Sequence, residues 1–207
     1  ENLALASRGT TLSGVAAVIA VIQAALENET FSFEGQHFCF PSKGLADRGA
    51  GVQSLTLVPR PIYPYETWQP ASSKATLKFV AEQGIGATFW HLNHAIQKQW
   101  WEEYGEIYEA THGTTLGRGE KRMLVLNVKI ADTHEAAMAA ARPGHDELWK
   151  FLGPYGWGKG YVIDGKPAPM GYIPSLEESI EQRTWLIGTA EEVAEGIAFW
   201  QESIGLE

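Results

Sequence analysis

The sequence predicts an α/β architecture of parallel strands joined by helical crossovers. Strand and helix signals alternate three times through the middle of the chain, the rhythm of repeated strand–helix units. Two Ser/Thr-x-x-Glu boxes, at Ser175–Glu178 and Thr189–Glu192, open helices on either side of a strand-like run, Trp185–Thr189. Apolar residues make up 44% and charged residues 20% of 207 positions. That balance excludes wholesale disorder and supplies a sizeable core.

Taken in order, the first helix is predicted from about Thr11 to Glu27, where Leu12, Val15, Ala16, Ile19, Ile22 and Leu26 form one stripe. Phe31–Phe33 and His37–Phe40 alternate around Glu34-Gly35-Gln36, a hairpin signal. Residues 41–51 read as loop and Val52–Val58 as a strand that the prolines at 59, 61 and 64 terminate. A short strand at Glu66–Ala71 leads into a helix over Ser73–Gln83, with Leu77, Val80 and Ala81 inward. Ala87–Trp90 is a short apolar run. The next helix, Ala95–Thr111, is striped by Ile96, Trp100, Tyr104, Ile107, Tyr108 and Thr111. Arg122–Ala131 is the clearest strand, and Asp132 with Glu135 is placed to cap the Ala-rich helix that follows. Residues 153–174 hold six glycines and four prolines, too many for a packed element and long for a plain connection. The last helix follows Thr189, with Val193, Ala194, Ile197 and Trp200 inward. Neither an internal repeat nor a low-complexity tract is present.

Charge narrows the function classes. With 16 Lys+Arg against 25 Asp+Glu the net charge is −9, and no basic cluster offers a surface to nucleic acid or an anionic membrane. Val15–Ile22, the longest apolar run, is far short of the roughly 20 residues of a membrane span. A single cysteine, Cys39, excludes an intramolecular disulfide and a multi-cysteine metal site. Without a leader-like segment, a cytoplasmic location is expected. Glu1 rather than Met opens the chain, and a Gly-containing helix end leads straight to Glu207. Processing or a tag remnant would leave the same ends; truncation at both is the reading adopted.

Few residues point to chemistry. Ser72, Ser73 and Thr76 sit where a strand turns into a helix, so hydroxyls and free amides could hold an anion; equally, Ser72 or Ser73 could be a plain N-cap. His91 and His94 are three apart, but no third ligand stands at a familiar spacing, so no metal is expected. His91 alone is better placed to line a cleft. Gly84-Ile-Gly86 follows a helix and is a turn, not a dinucleotide fingerprint. All eight tryptophans follow residue 67; Trp157, inside the Gly/Pro-rich stretch, is placed to meet a ligand or a lid.

Four stretches carry a resemblance. Pro59–Gly84, with Thr67-Trp-Gln-Pro-Ala-Ser-Ser73-Lys-Ala-Thr76 at its centre, resembles the middle of the bacterial luciferase-like flavin-dependent monooxygenases. So do Phe33–Phe38, Val128–Ala136 and Ile187–Val193, in the family's order. The resemblance implies a single (β/α)₈ TIM-barrel domain over 1–207, represented by its second half. Thr67–Ala71, Ala87–Trp90 and Arg122–Ile130 would be barrel strands 5 to 7, with the chain stopping where strand 8 should begin. Residues 153–174 would be a mobile active-site loop. It implies reduced FMN, or F420 in one branch, as cofactor. Ser73 and Thr76 would hold the flavin phosphate, with Ser72 beside them and Trp90 next to the flavin ring. His91 and Trp157 would lie near substrate or lid, while the catalytic residues would belong to the missing half. The implied activity is oxygenation of a small apolar organic substrate, with reduced flavin from a separate reductase and a full-length homodimer. An F420-dependent hydride transferase and a non-catalytic flavin-binding relative are the alternatives. The fragment alone is expected to be inactive.

Overall fold

The computed structural model describes residues 10–206, with side chains from residue 14 onward. Its contacts divide into two compact units, the first ending at Tyr65 and the second beginning at Glu66, where the sequence reading expects one domain.

In the first unit, α1 (Thr10–Glu27) forms as the apolar spacing predicts. It buries Ala16 and Ile19 as predicted, together with Ala25, but leaves Ile22 46% exposed and Val15 and Leu26 half-buried. Leu12, expected in that stripe, has its side chain outside the described residues. The predicted hairpin is present as β1 (Phe33–Glu34) and β2 (Cys39–Phe40), with Phe33 opposite Phe40. The stretch read as loop contains a second hairpin, β3 (Ala46–Asp47) and β4 (Ala50–Gly51). Arg48 and Gly49 both have positive φ, 48° and 82°, the geometry of a two-residue type I′ turn. Val52–Val58 gives only a bridge from Leu55 to Phe31, since alternation makes no ladder without a longer edge to pair with.

The second unit carries the parallel strands. β5 (Trp68–Pro70) enters α2 (Lys74–Glu82), and Leu77, Val80 and Ala81 are buried as predicted. Complete burial of Leu77 and Val80 contributes roughly 1.5–3 kcal/mol each. β6 (Gly86–Trp90) follows, then α3 (His94–His112). The buried line of α3 is Gln97, Trp101 and Tyr104, so the predicted stripe is rotated: Ile96 and Trp100 are only half-buried. The long predicted strand is interrupted at Leu126 and changes neighbour there. Its first half, β7 (Arg122–Val125), pairs parallel with β6, which pairs parallel with β5. Its second half is β8 (Asn127–Ile130).

Next comes α4 (His134–Leu152), capped by Thr133 and not by Asp132. The Thr133 hydroxyl accepts from the Ala136 amide at 3.1 Å, and Asp132 stands one position too early for that bond. The 153–174 segment is a packed element, contrary to its composition. It holds two 3₁₀ turns, Gly153–Tyr155 and Trp157–Gly160, and a hairpin of β9 (Val162–Ile163) and β10 (Lys166–Pro167). Tyr161 and Ala168 are buried with Trp149 and Leu152 of α4. α5 (Leu176–Glu181) and α6 (Ala190–Ile204) each start in the predicted capping box. Between them β11 (Trp185–Gly188) pairs parallel with β8. A parallel strand therefore follows the third, where the resemblance implied three. Trp185 and Ile187 pack with Ala137, Ala141 and Leu176, while the Leu186 side chain meets Gly196 of α6. All four residues of β11 are buried.

Register between β5 and β6 depends on a missing side chain. A Cβ on Gly86 would lie 2.5 Å from the Trp68 ring, which covers it. Gly86→Ala should lower the stability of the second unit by about 1–3 kcal/mol through overpacking. Urea denaturation checks this; an unchanged midpoint would mean that Trp68 moves aside freely.

Candidate active site

Two strand ends and one irregular segment enclose a cavity of about 580 Å³. The turn after β5 supplies Ala71, Ser72, Ser73 and Lys74; the end of β6 supplies Trp90, His91 and Leu92. α3 adds Ile96, Gln99 and Trp100, and Tyr155–Trp157, Lys159, Gly160 and Pro167 close the other side. Openings at the carboxyl ends of parallel strands are where such sheets bind ligands, because loops and helix N-termini converge there.

Five of the six residues predicted from sequence line this cavity: Ser72, Ser73, Trp90, His91 and Trp157. Thr76 does not. Ser73 is the N-cap of α2, its Oγ accepting from the Thr76 amide at 3.1 Å and lying 3.0 Å from Thr76 Oγ1. Ser72 is exposed, and the first turn of α2 carries no acidic residue. His91 and His94 diverge. The His91 ring lies against Trp90 and Trp149, with centroids 3.9 and 5.0 Å away, whereas the His94 ring meets Phe199 edge-on. Among the described residues no group of three His, Cys, Asp or Glu could hold a metal ion.

The lining is aromatic and cationic. Trp157 stands edge-on to Trp90 at 5.5 Å. The Lys74 ammonium pairs with Glu103 and lies 5.3 Å from the Trp100 ring. Lys159 is the second cation, and no described carboxylate lines the cavity, although the chain carries a net charge of −9. Sequence reasoning missed Lys74, Lys159, Tyr155, Ile96 and Trp100. Ile96 and Trp100 are visible in the sequence as an apolar pair, but their spacing predicts a core-facing stripe.

His91 is 3% exposed, adopts a left-handed backbone (φ 53°), and neither ring nitrogen has a described partner. Burial, reinforced by nearby His145, pushes its pKa down to about 3, so the ring is neutral. His145 is also buried but fully engaged. Its Nδ1 meets Asp146 Oδ1 at 3.2 Å and its Nε2 meets Ser179 Oγ at 2.9 Å. Ser179 Oγ in turn lies 2.8 Å from the Tyr161 hydroxyl, itself 2.5 Å from Thr184 Oγ1. This Asp–His–Ser chain has the residues of a hydrolase triad, yet Ser179 is completely buried and no substrate carbonyl can reach it. It is a polar tie between α4, α5 and the irregular segment.

The family model of luciferase-like monooxygenases matches residues 8–207. The chain belongs to that family. No curated protein matches it. Among solved structures it is similar to the oxygenating constituent of 3,6-diketocamphane monooxygenase from Pseudomonas putida, a type II Baeyer-Villiger monooxygenase in complex with FMN. There the TM-score is 0.64 at 18% identity, over 95% of this chain and 55% of that one. The monooxygenase RslO1 from Streptomyces bottropensis gives 0.64 at 15% identity, over 96% and 53%. Apo-MsnO8 gives 0.52 at 16%, over 98% and 55%. The chain thus shares their fold and spans about half their length. Among the described residues no helix is long and apolar enough to cross a membrane.

The neutral His91 has a consequence for pH. Its folded-state value near 3 lies below the ordinary 6.5, so in that window the unfolded chain binds a proton that the folded chain does not. Stability is therefore full above pH 6.5 and falls as pH drops toward 3, by up to about 1.4 kcal/mol per pH unit from this group. His91→Asn, which tolerates the left-handed backbone, should flatten that decline in urea titrations between about pH 7 and 4. Identical slopes would show that the imidazole is already charged when folded.

Proposed function

We propose that the cavity forms part of the reduced-flavin site of an FMN-dependent monooxygenase, acting with O₂ on a small organic substrate. One observation carries this reading: in a strongly acidic family member, the cavity at the ends of β5 and β6 is lined by two lysines, several aromatic rings and no described carboxylate. Such a lining suits a planar aromatic cofactor with an anionic tail.

The residues present fit the group. Ser72 and the free amides at the start of α2 would meet the phosphate, where the helix terminus favours an anion. Lys74 stands beside them, and Trp90 and Trp157 offer faces and edges for the ring system. When bound, reduced flavin supplies the electrons that activate oxygen. The chain's own contribution is to bind, orient and shield: indoles exclude water, and the uncharged His91 ring adds no positive charge to the apolar side of the wall. FMN is favoured over F420 because a structural neighbour carries FMN. Reduced flavin would come from a separate reductase, and the working protein would be a cytoplasmic homodimer. The tip of the 153–174 segment, where Met170 is 79% exposed, would close over flavin and substrate.

Ser72 and Ser73 separate phosphate recognition from capping. A hydrogen bond to a charged group contributes roughly 1.5–3 kcal/mol, or about 10- to 150-fold in affinity. Ser72→Ala in the full-length protein should weaken FMN by at least the lower factor, leave riboflavin binding unchanged and leave the melting temperature in place. Ser73→Ala should also cost about 1 kcal/mol of stability through the lost cap. Equal weakening of FMN and riboflavin by Ser72→Ala would remove the phosphate from this turn. A full-length protein that binds neither flavin would end the reading altogether.

A further inference from the structure

Gln182 lines no part of the cavity; it is the C-cap of α5. Its carboxamide nevertheless joins the two pieces of chain that carry facing walls. Oε1 accepts from Asn93 Nδ2 at 3.0 Å and from the Val162 amide at 2.8 Å, and Nε2 donates to the Val162 carbonyl at 2.8 Å. Toward Val162 the side chain behaves as a strand would, satisfying both backbone groups of one residue. Its orientation is fixed, because a flipped amide would set donor against donor and acceptor against acceptor.

Asn93 completes the junction from the other side. Its Oδ1 caps α3 by accepting from the Ala95 amide at 2.9 Å, and its own amide donates to the Gly160 carbonyl at 2.7 Å. The Gln182 carbonyl accepts from the His94 amide at 3.2 Å. Asn93 directly follows the wall formed by Trp90–Leu92, and Val162 follows the wall formed by Tyr155–Gly160. Apart from the Gly160 carbonyl, the groups that space the two sides of the cavity belong to residues outside its lining.

We propose that Gln182 is the positioning residue of this cavity: it holds the Trp157-bearing wall against the Trp90-bearing wall and so sets the width available to a planar ligand. The ligand-binding consequence rests on the flavin reading above; the fastening itself does not.

Two substitutions test it in the full-length protein. Gln182→Leu removes all three side-chain bonds. Hydrogen exchange should quicken at residues 156–163 while α6 keeps its protection, and FMN affinity should fall about tenfold or more. Gln182→Glu supplies a chemical switch. A protonated carboxyl can still accept twice and donate to the Val162 carbonyl, but an ionised one has no proton to give and repels that oxygen. Its FMN affinity relative to wild type at each pH should be near unity at about pH 4.5 and fall severalfold by about pH 8. Taking the ratio cancels the titration of the FMN phosphate. Unchanged exchange in Gln182→Leu, or a pH-independent ratio in Gln182→Glu, overturns the proposal. Should Gln182→Leu fail to fold, the Gln182→Glu ratio decides. A wild type without FMN affinity ends the flavin reading, and the exchange rates of the two variants then decide the role of Gln182 alone.

Discussion

A Cβ on Gly160 would lie 2.1 Å from the carbonyl oxygen of His91, so the second 3₁₀ turn can reach the end of β6 only because that side chain is absent. Much of the second unit follows from this approach. The Asn93 amide reaches the Gly160 carbonyl, Trp157 arrives edge-on to Trp90, and Tyr161 is carried down into the core beside Trp149. The strain on the other side of the contact is visible too. His91 takes a left-handed backbone, φ 53°, a conformation that costs a non-glycine residue of order 1 kcal/mol or more and persists only when its surroundings hold it. Here they do: one neighbour is packed against the turn, and Asn93 is bonded through both backbone and side chain.

Seen from that contact, the glycines of 153–174 change meaning. Six glycines and four prolines in one stretch read as chain that cannot pack, which is the usual sense of such composition. Four of the glycines are buried instead, because backbone is packed directly on side chain or backbone. Gly153 faces Ile173, Gly156 faces Met170, Gly158 faces the Tyr172 carbonyl, and Gly160 faces His91. Composition reports that side chains are missing; it does not say whether the space is left empty or occupied by a neighbour. What distinguishes the cases is long-range contact, which local sequence does not encode.

The elements that were legible were those specified locally. Both Ser/Thr-x-x-Glu boxes form with the expected reciprocal bonds, and the parallel strands appear where β-branched and aromatic runs placed them. α3 shows where such signals stop. Ile96, Trp100 and Tyr104 share a helical face by spacing, yet Tyr104 is in the core, its hydroxyl bonded to the Ile85 carbonyl at 2.7 Å, while Ile96 and Trp100 border the cavity. Periodicity marks residues that avoid water, and the walls of an aromatic cavity avoid water as a core does. Five of the six residues read from the sequence as site candidates line the cavity because they stand at strand ends or in the irregular segment. Lys159 and Tyr155 were not found because only the folding of that segment brings them beside β5 and β6.

Two buried histidines show what separates a tie from a wall. His145 is completely buried with both nitrogens engaged, by Asp146 and Ser179; its polar groups replace the water they lost, and the network fastens α4 to α5 and Tyr161. His91 is nearly as buried, with neither nitrogen engaged among the described residues. An unbonded buried polar group costs about 1–3 kcal/mol, so His91 spends stability that a phenylalanine of similar breadth would not. Nothing in packing alone requires an imidazole between two indoles. For His91 this cost falls at the cavity wall, on a residue already in a left-handed backbone, while the buried His145 nearby has its partners. Gln97, Asn127 and the Trp149, Trp185 and Trp200 indoles also hold buried polar atoms with no partner among the described residues. Of these residues His91 alone lines the cavity, so its unmet hydrogen-bonding capacity lies next to the space where a ligand would lie.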